Sequence, residues 1–196
     1  MMMMSTKFEN AIALIDNENS NDTRKEFHNE KEYPKELLYS HRMTDRLLEY
    51  NPDASDELQI AIRAQHINRW KIPRDSYPID RIGYLKWREA LKKMHADVTS
   101  DILKEVGYDT NFINRVTFLI NKRLIKKDDE SQILEDVVCL VFLEYYFEAF
   151  SRKHDEEKLI DIIKKTWKKM SKKGQETALK LQYSTEHLAL IKLAIS

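Results

Sequence analysis

Only three glycines occur in the 196 residues, Gly83, Gly107 and Gly174, and they are too scattered to build a phosphate-cradling turn. Nucleotide-binding sheets place glycine where backbone must approach phosphate, so this spacing excludes both the GxGxxG fingerprint and the P-loop. With four prolines, the chain has few breakers of any kind. Its apolar residues recur at the 3.6-residue helical spacing, and neither a strand-type alternation nor an Asn-Gly hairpin is found. The expected fold class is therefore all-α, a single-domain helical bundle, and the length suits one domain at about 100–200 residues each.

Charged residues make up 34% of the chain, above the roughly 25% of an average soluble domain. Lys+Arg and Asp+Glu both number 33, so no global field draws the protein to nucleic acid or anionic lipid. The single cysteine, Cys139, excludes a disulfide framework, a CxxC redox pair and an all-cysteine zinc site, and it points to a reducing compartment. The start, Met1 to Lys7, lacks a basic segment followed by an apolar run, and no stretch reaches the roughly 18 apolar residues of a membrane span. A soluble, cytoplasmic protein with no membrane association is expected, and the four leading methionines read as an uncertain start site.

Helical spacing predicts a first helix over about 6–18, a linker to Pro34, and a second helix to about Tyr50 with proline in its first turn. Ser55 is placed to cap a third helix carrying Leu58, Ile62 and His66. Residues 70–80 contain Pro73 and Pro78 and read as a loop. A long helix over about 81–106 should end at Gly107, followed by one capped by Asp109. Residues 131–150 are apolar almost all round and read as the central buried helix. Helices over 156–170 and 175–195, the latter broken near Ser184, close the chain. The expected organisation is an N-terminal helix and linker over 1–35, a helical core over 36–154, and basic C-terminal helices over 155–196.

Four polar residues fall on stripes that should face inward: His41, His66 and His95, and Asp136 between Ile133 and Leu140. An aspartate in the most apolar helix is costly unless paired or metal-bound. Imidazoles from neighbouring helices would offer donors suited to Zn, Mn or Fe. The expectation is a divalent transition metal held by His41, His66, His95 and Asp136; the alternative is a hydrogen-bonded His–Asp core network.

The order His66 in Ala-Gln-His-Ile-Asn-Arg-Trp, His95 in Leu-Lys-Lys-Met-His-Ala-Asp-Val and Asp136 in Leu-Glu-Asp-Val-Val-Cys resembles the HD metal-dependent phosphohydrolases, all-helical proteins with ligands in the order H, HD, D. Ala96 stands where that motif has the aspartate of its HD pair. Residues 37–169 are also similar to an uncharacterised domain-of-unknown-function family, some of whose members are labelled glutamyl-tRNA synthetase-like. The HD resemblance implies metal-dependent hydrolysis of a small phosphorylated or nucleotide compound; the alternative is a non-catalytic HD-like binding or interaction domain.

Guanidinium forks suit phosphate oxygens, and Arg42, Arg69, Arg74, Arg81 and Arg88 cluster in sequence around the expected ligands. Glu135 and Asp75 are the available general bases. Surface ion pairing of these arginines is the competing reading. Residues 169–173 mimic the KMSK signature of class I aminoacyl-tRNA synthetases, but that chemistry needs a doubly wound sheet. The seven lysines over 158–173 could meet nucleic acid, although a solvated helix face is the simpler account. Cys139 reads as packing.

Overall fold

The computed structural model describes residues 6–196, so the methionine-rich start lies outside the described residues. Among those residues ten α-helices and one two-stranded sheet form, and the protein is all-α. No described helix is long and apolar enough to cross a membrane. The chain divides into two compact units, one running to Arg123 and the other over Leu124–Ser196. The boundaries at 35 and 154 read from the sequence fall inside these units.

In the first unit, α1 (Lys7–Ser20) starts with a capping box in which Thr6 and Glu9 satisfy each other's backbone N–H. Strands β1 (Lys25–His28) and β2 (Lys31–Pro34) then pair antiparallel where the sequence reads as linker. Asn29 and Glu30, both at positive φ, make the turn. Two central residues at positive φ match the right-handed twist of a hairpin, and Glu30 in the place that glycine usually takes conceals it from a motif search.

Helices α2 (Lys35–Tyr50) and α3 (Asp56–Arg63) follow, the latter capped by Ser55 as expected. Two short 3₁₀ turns, Arg69–Lys71 and Arg74–Ser76, lead into α4 (Arg81–Val106), which begins at the Asp80 cap and ends at Gly107. Asp109 caps α5 (Thr110–Ile120). Ile15, Met43, Leu47, Leu58, Ile62, Leu91, Leu103 and Leu119 are buried. At roughly 1.5–3 kcal/mol for each fully buried aliphatic side chain, their packing of α1 to α5 is what fixes the loops between them.

The second unit opens with α6 (Asp129–Val141), continues through a wide π turn over Phe142–Tyr146, and resumes as α7 (Phe147–Ser151). Together they occupy the segment expected to be one buried helix. Then come α8 (Glu156–Lys169), α9 (Lys172–Ala178) and α10 (Thr185–Ile195). Helix α8 packs against both α6 and α10. Leu134, Val137, Leu140, Phe147, Ile163 and Ile191 are fully or almost fully buried.

Candidate functional site

Helix α3 stops at Arg63, three residues before His66, so this histidine lies in a tight turn rather than on the helical stripe expected for it. Asn68 takes a left-handed conformation at φ 57°, which asparagine tolerates better than most residues. Its side-chain amide donates to Glu18 Oε2 at 2.7 Å, tying the turn to α1. The His66 ring stacks on Tyr39 of α2, with centroids 3.9 Å apart and planes 8° from parallel. Its Nδ1 lies 3.0 Å from Glu36 Oε2.

Glu36 belongs to the first turn of α2, where the helix dipole favours a negative charge. It is 3% exposed, so its charge needs compensation. Arg24 supplies part of it, donating to Glu36 Oε1 at 2.7 Å and to Asp22 at 3.0 Å. Asp22 in turn accepts the Glu36 backbone N–H at 3.2 Å, doing from another segment what an N-cap side chain does locally. Burial raises the Glu36 pKa, but His66, Arg69 and Arg24 outweigh it and bring the carboxyl down to about 2. For His66, burial and the repulsion of Arg69 exceed the pull of Glu36, lowering the imidazole to about 4. At neutral pH the pair is a carboxylate and a neutral imidazole whose Nδ1–H donates to Glu36.

His95 reaches the same place from α4. Its Nδ1 donates to the carbonyl of Ile67 at 2.7 Å, and its ring centroid lies 6.3 Å from that of His66. Burial, followed by repulsion from His66, lowers it to about 3, so it too is neutral. Both rings have Nδ1 committed, and among the described residues neither Nε2 takes a hydrogen bond. This is how metal-binding histidines are held, with one nitrogen fixed by an oxygen acceptor and the other presented. His66 keeps 27% of its side chain accessible, so a ligand can arrive.

Arg69 stands beside the pair. Its guanidinium lies 4.8 Å over the Trp87 ring, and it meets no carboxylate or other hydrogen-bond acceptor among the described residues. Burial lowers its pKa, and Glu36 is the main influence holding it up. Arg74 donates to the carbonyls of Tyr77 and Asp80 at 3.0 and 3.3 Å, and Arg88 donates to the Tyr84 hydroxyl at 3.1 Å.

Several of the other expected residues have partners of their own. His41 has a 42% exposed side chain whose Nε2 is 3.6 Å from Asp16 Oδ2, and the same aspartate takes a forked pair of hydrogen bonds from Arg63. Arg42 is paired with Glu26 on β1. Asp75 and Arg81 are exposed. Glu135 and Asp136 are buried in the second unit, Glu135 with Lys169 Nζ at 3.7 Å. Asp136 accepts from Gln132 at 2.9 Å and from the Ser171 N–H at 2.8 Å and hydroxyl, fastening the start of α9. A Cβ at Gly174 would lie 2.7 Å from the Asp136 carboxyl carbon, so glycine is what lets the helix approach it. Cys139 is buried, in keeping with a packing role.

Of the four expected metal donors, His66 and His95 come together. Among the described residues no three His, Cys, Asp or Glu side chains form a metal-binding group. The imidazole tautomers fit an ion of imidazole preference such as Zn or Fe, and among the described residues of the first unit the protein donors in this place number two. Sequence reasoning overlooked Glu36, Tyr39, Arg24 and Asp22. Part of the signal was present: Glu36, Tyr39, Met43, Leu47 and Tyr50 fall on one face of α2, and an acid heading an apolar stripe needs a partner.

A family model described as a domain of unknown function (DUF4202) matches residues 9–191. No curated protein and no solved structure matches the chain.

Proposed function

The chain belongs to the DUF4202 family of domains of unknown function, and from its paired imidazoles we propose a metal-dependent phosphohydrolase acting on a small phosphorylated or nucleotide compound in the cytoplasm. The observation that carries this reading is the His66–His95 pair, neutral, fixed at Nδ1 and open at Nε2, beside an Arg69 guanidinium without a carboxylate partner. His66 and His95 would hold a divalent transition ion through Nε2. Bound there, the ion supplies Lewis acidity toward a phosphoryl oxygen.

The chain's own groups do the rest. Glu36 keeps the proton on His66 Nδ1, so Nε2 remains a donor of its lone pair. Tyr39 holds the ring plane, and the Ile67 carbonyl does for His95 what Glu36 does for His66. Arg69 offers a planar fork to phosphate in a place where water competes poorly. The second reading, a binding domain that takes a phosphorylated compound without turning it over, draws on Ala96 and on the protein donors numbering two.

Metal analysis of protein purified without chelator, with phosphate release measured over nucleotides and sugar phosphates plus Mn, Co, Fe, Ni or Zn, tests the proposal. We expect bound metal and metal-dependent release. His95→Ala should lose metal, and Arg69→Ala should keep metal while raising KM. Stoichiometric metal without turnover on any compound selects the binding domain, and protein with neither defeats the hydrolase reading.

A further inference from the structure

Four arginines of the first unit answer a carboxylate: Arg24 with Asp22 and Glu36, Arg42 with Glu26, Arg46 with Glu49, Arg63 with Asp16. Among the described residues Arg69, Arg74 and Arg88 do not. All three lie over one pair of touching rings instead. Trp87 and Tyr84 have centroids 5.9 Å apart. Arg69 is 4.8 Å and Arg74 5.8 Å from the Trp87 centroid, while Arg74 and Arg88 are each 5.9 Å from that of Tyr84. The order is Arg69, Trp87, Arg74, Tyr84, Arg88, with each ring shared between consecutive guanidiniums.

A cation–ring contact consumes no N–H donor, so it leaves these guanidiniums with donors for oxygen anions. The charge arrangement asks for such a ligand. Arg88 acts on Arg69 as a like charge, and among the described residues no carboxylate stands within ion-pair distance of Arg69, Arg74 or Arg88. The rings are anchored: Trp87 Nε1 donates to the Ile72 carbonyl at 2.9 Å, and Arg88 bonds the Tyr84 hydroxyl.

The three cations are not equally placed. Arg69 acts on the charges of both His66 and His95, while Arg74 and Arg88 share the Tyr84 ring. One phosphate held by Arg69 beside the imidazoles leaves the two cations at Tyr84 unanswered. We propose that the ligand carries at least two linked phosphoryl groups, the first met by Arg69 beside His66 and His95 and the next by Arg74 and Arg88 along the Tyr84–Trp87 rings. This rests on the reading of the His66–His95 place as a phosphate site, and it is independent of the metal.

The test is calorimetric titration of the full chain in EDTA at constant ionic strength with inorganic phosphate, pyrophosphate and tripolyphosphate. The expected result is at least ten-fold tighter binding of tripolyphosphate than of phosphate. Arg74→Gln and Arg88→Gln should each weaken tripolyphosphate about ten-fold while changing phosphate less than two-fold, whereas Arg69→Gln weakens all three. Lys86→Gln, which removes an exposed charge from another face of α4, should change nothing. Equal affinity for the three anions, or equal losses from Lys86→Gln and Arg88→Gln, overturns the proposal, the latter by showing an unspecific charge effect. Circular dichroism of each variant separates lost binding from lost fold. Because the titrations are metal-free, a failure of the hydrolase reading in the metal and turnover assays is read separately from a failure here.

Discussion

At the scale of single residues, the first unit keeps one buried acid ionised and two imidazoles neutral, and both choices make folding sensitive to acid. His66 and His95 are held at about 4 and about 3, against 6.5 for a free imidazole. As pH falls below 6.5 the unfolded chain takes up protons that the folded chain refuses, so the unfolded state gains and stability drops. Glu36, held at about 2 against 4.5, adds to the same trend below 4.5, because its stabilising ionised form is lost as pH falls through its folded pKa. Thermal denaturation in EDTA should therefore show the melting temperature falling steadily from pH 6.5 to pH 4. His95→Gln should flatten that slope, and a slope identical to wild type would disprove the account of a neutral buried imidazole. His66 and His95 were legible in the sequence because each follows an apolar stripe. Arg24 and Asp22 were not, since they come from a short loop whose place beside α2 depends on the hairpin that follows.

Elements were legible where caps and periodicity agree. Ser55, Asp109 and Gly107 all stand where local hydrogen bonding predicts them, because capping depends only on neighbours in the chain. The β1–β2 hairpin was not, because its alternation is only four residues long on each side and its turn uses Asn29-Glu30. The loop before α4 shows how an element can be shaped by a contact. A Cβ at Gly83 would stand 2.1 Å from the Pro78 carbonyl oxygen, so the first turn of α4 lies directly on the loop that carries Arg74. Gly83→Ala must push the two apart, at a cost of about 1–3 kcal/mol for an overpacked contact. Urea denaturation should show that loss. Tripolyphosphate binding should weaken as well, since Arg74 moves with the loop, and undiminished stability would mean the loop is free to yield.

Over the whole molecule, the sequence-level picture assembled one ligand set from helices throughout the chain, whereas several of those residues are already engaged by neighbours within their own unit. Asp136 makes the contrast plain. It was legible as an inward acid in the most apolar helix, and helical spacing could say that it needs a partner but not which one. The partner is the backbone and hydroxyl of Ser171, which caps α9 through its Oγ contact with the Gly174 N–H at 3.1 Å. An aliphatic side chain in place of the carboxylate would leave the Ser171 N–H and the Gln132 amide without their acceptor. Asp136→Leu should therefore cost about 1–3 kcal/mol, the penalty for a buried unsatisfied donor, and loosen the start of α9. Hydrogen exchange at Ser171 and Gly174 should quicken in this variant, while metal content, where His66 and His95 provide the donors, should match wild type. Loss of metal with exchange at Ser171 unchanged would return Asp136 to the ligand set read from the sequence and remove the structural role argued for it.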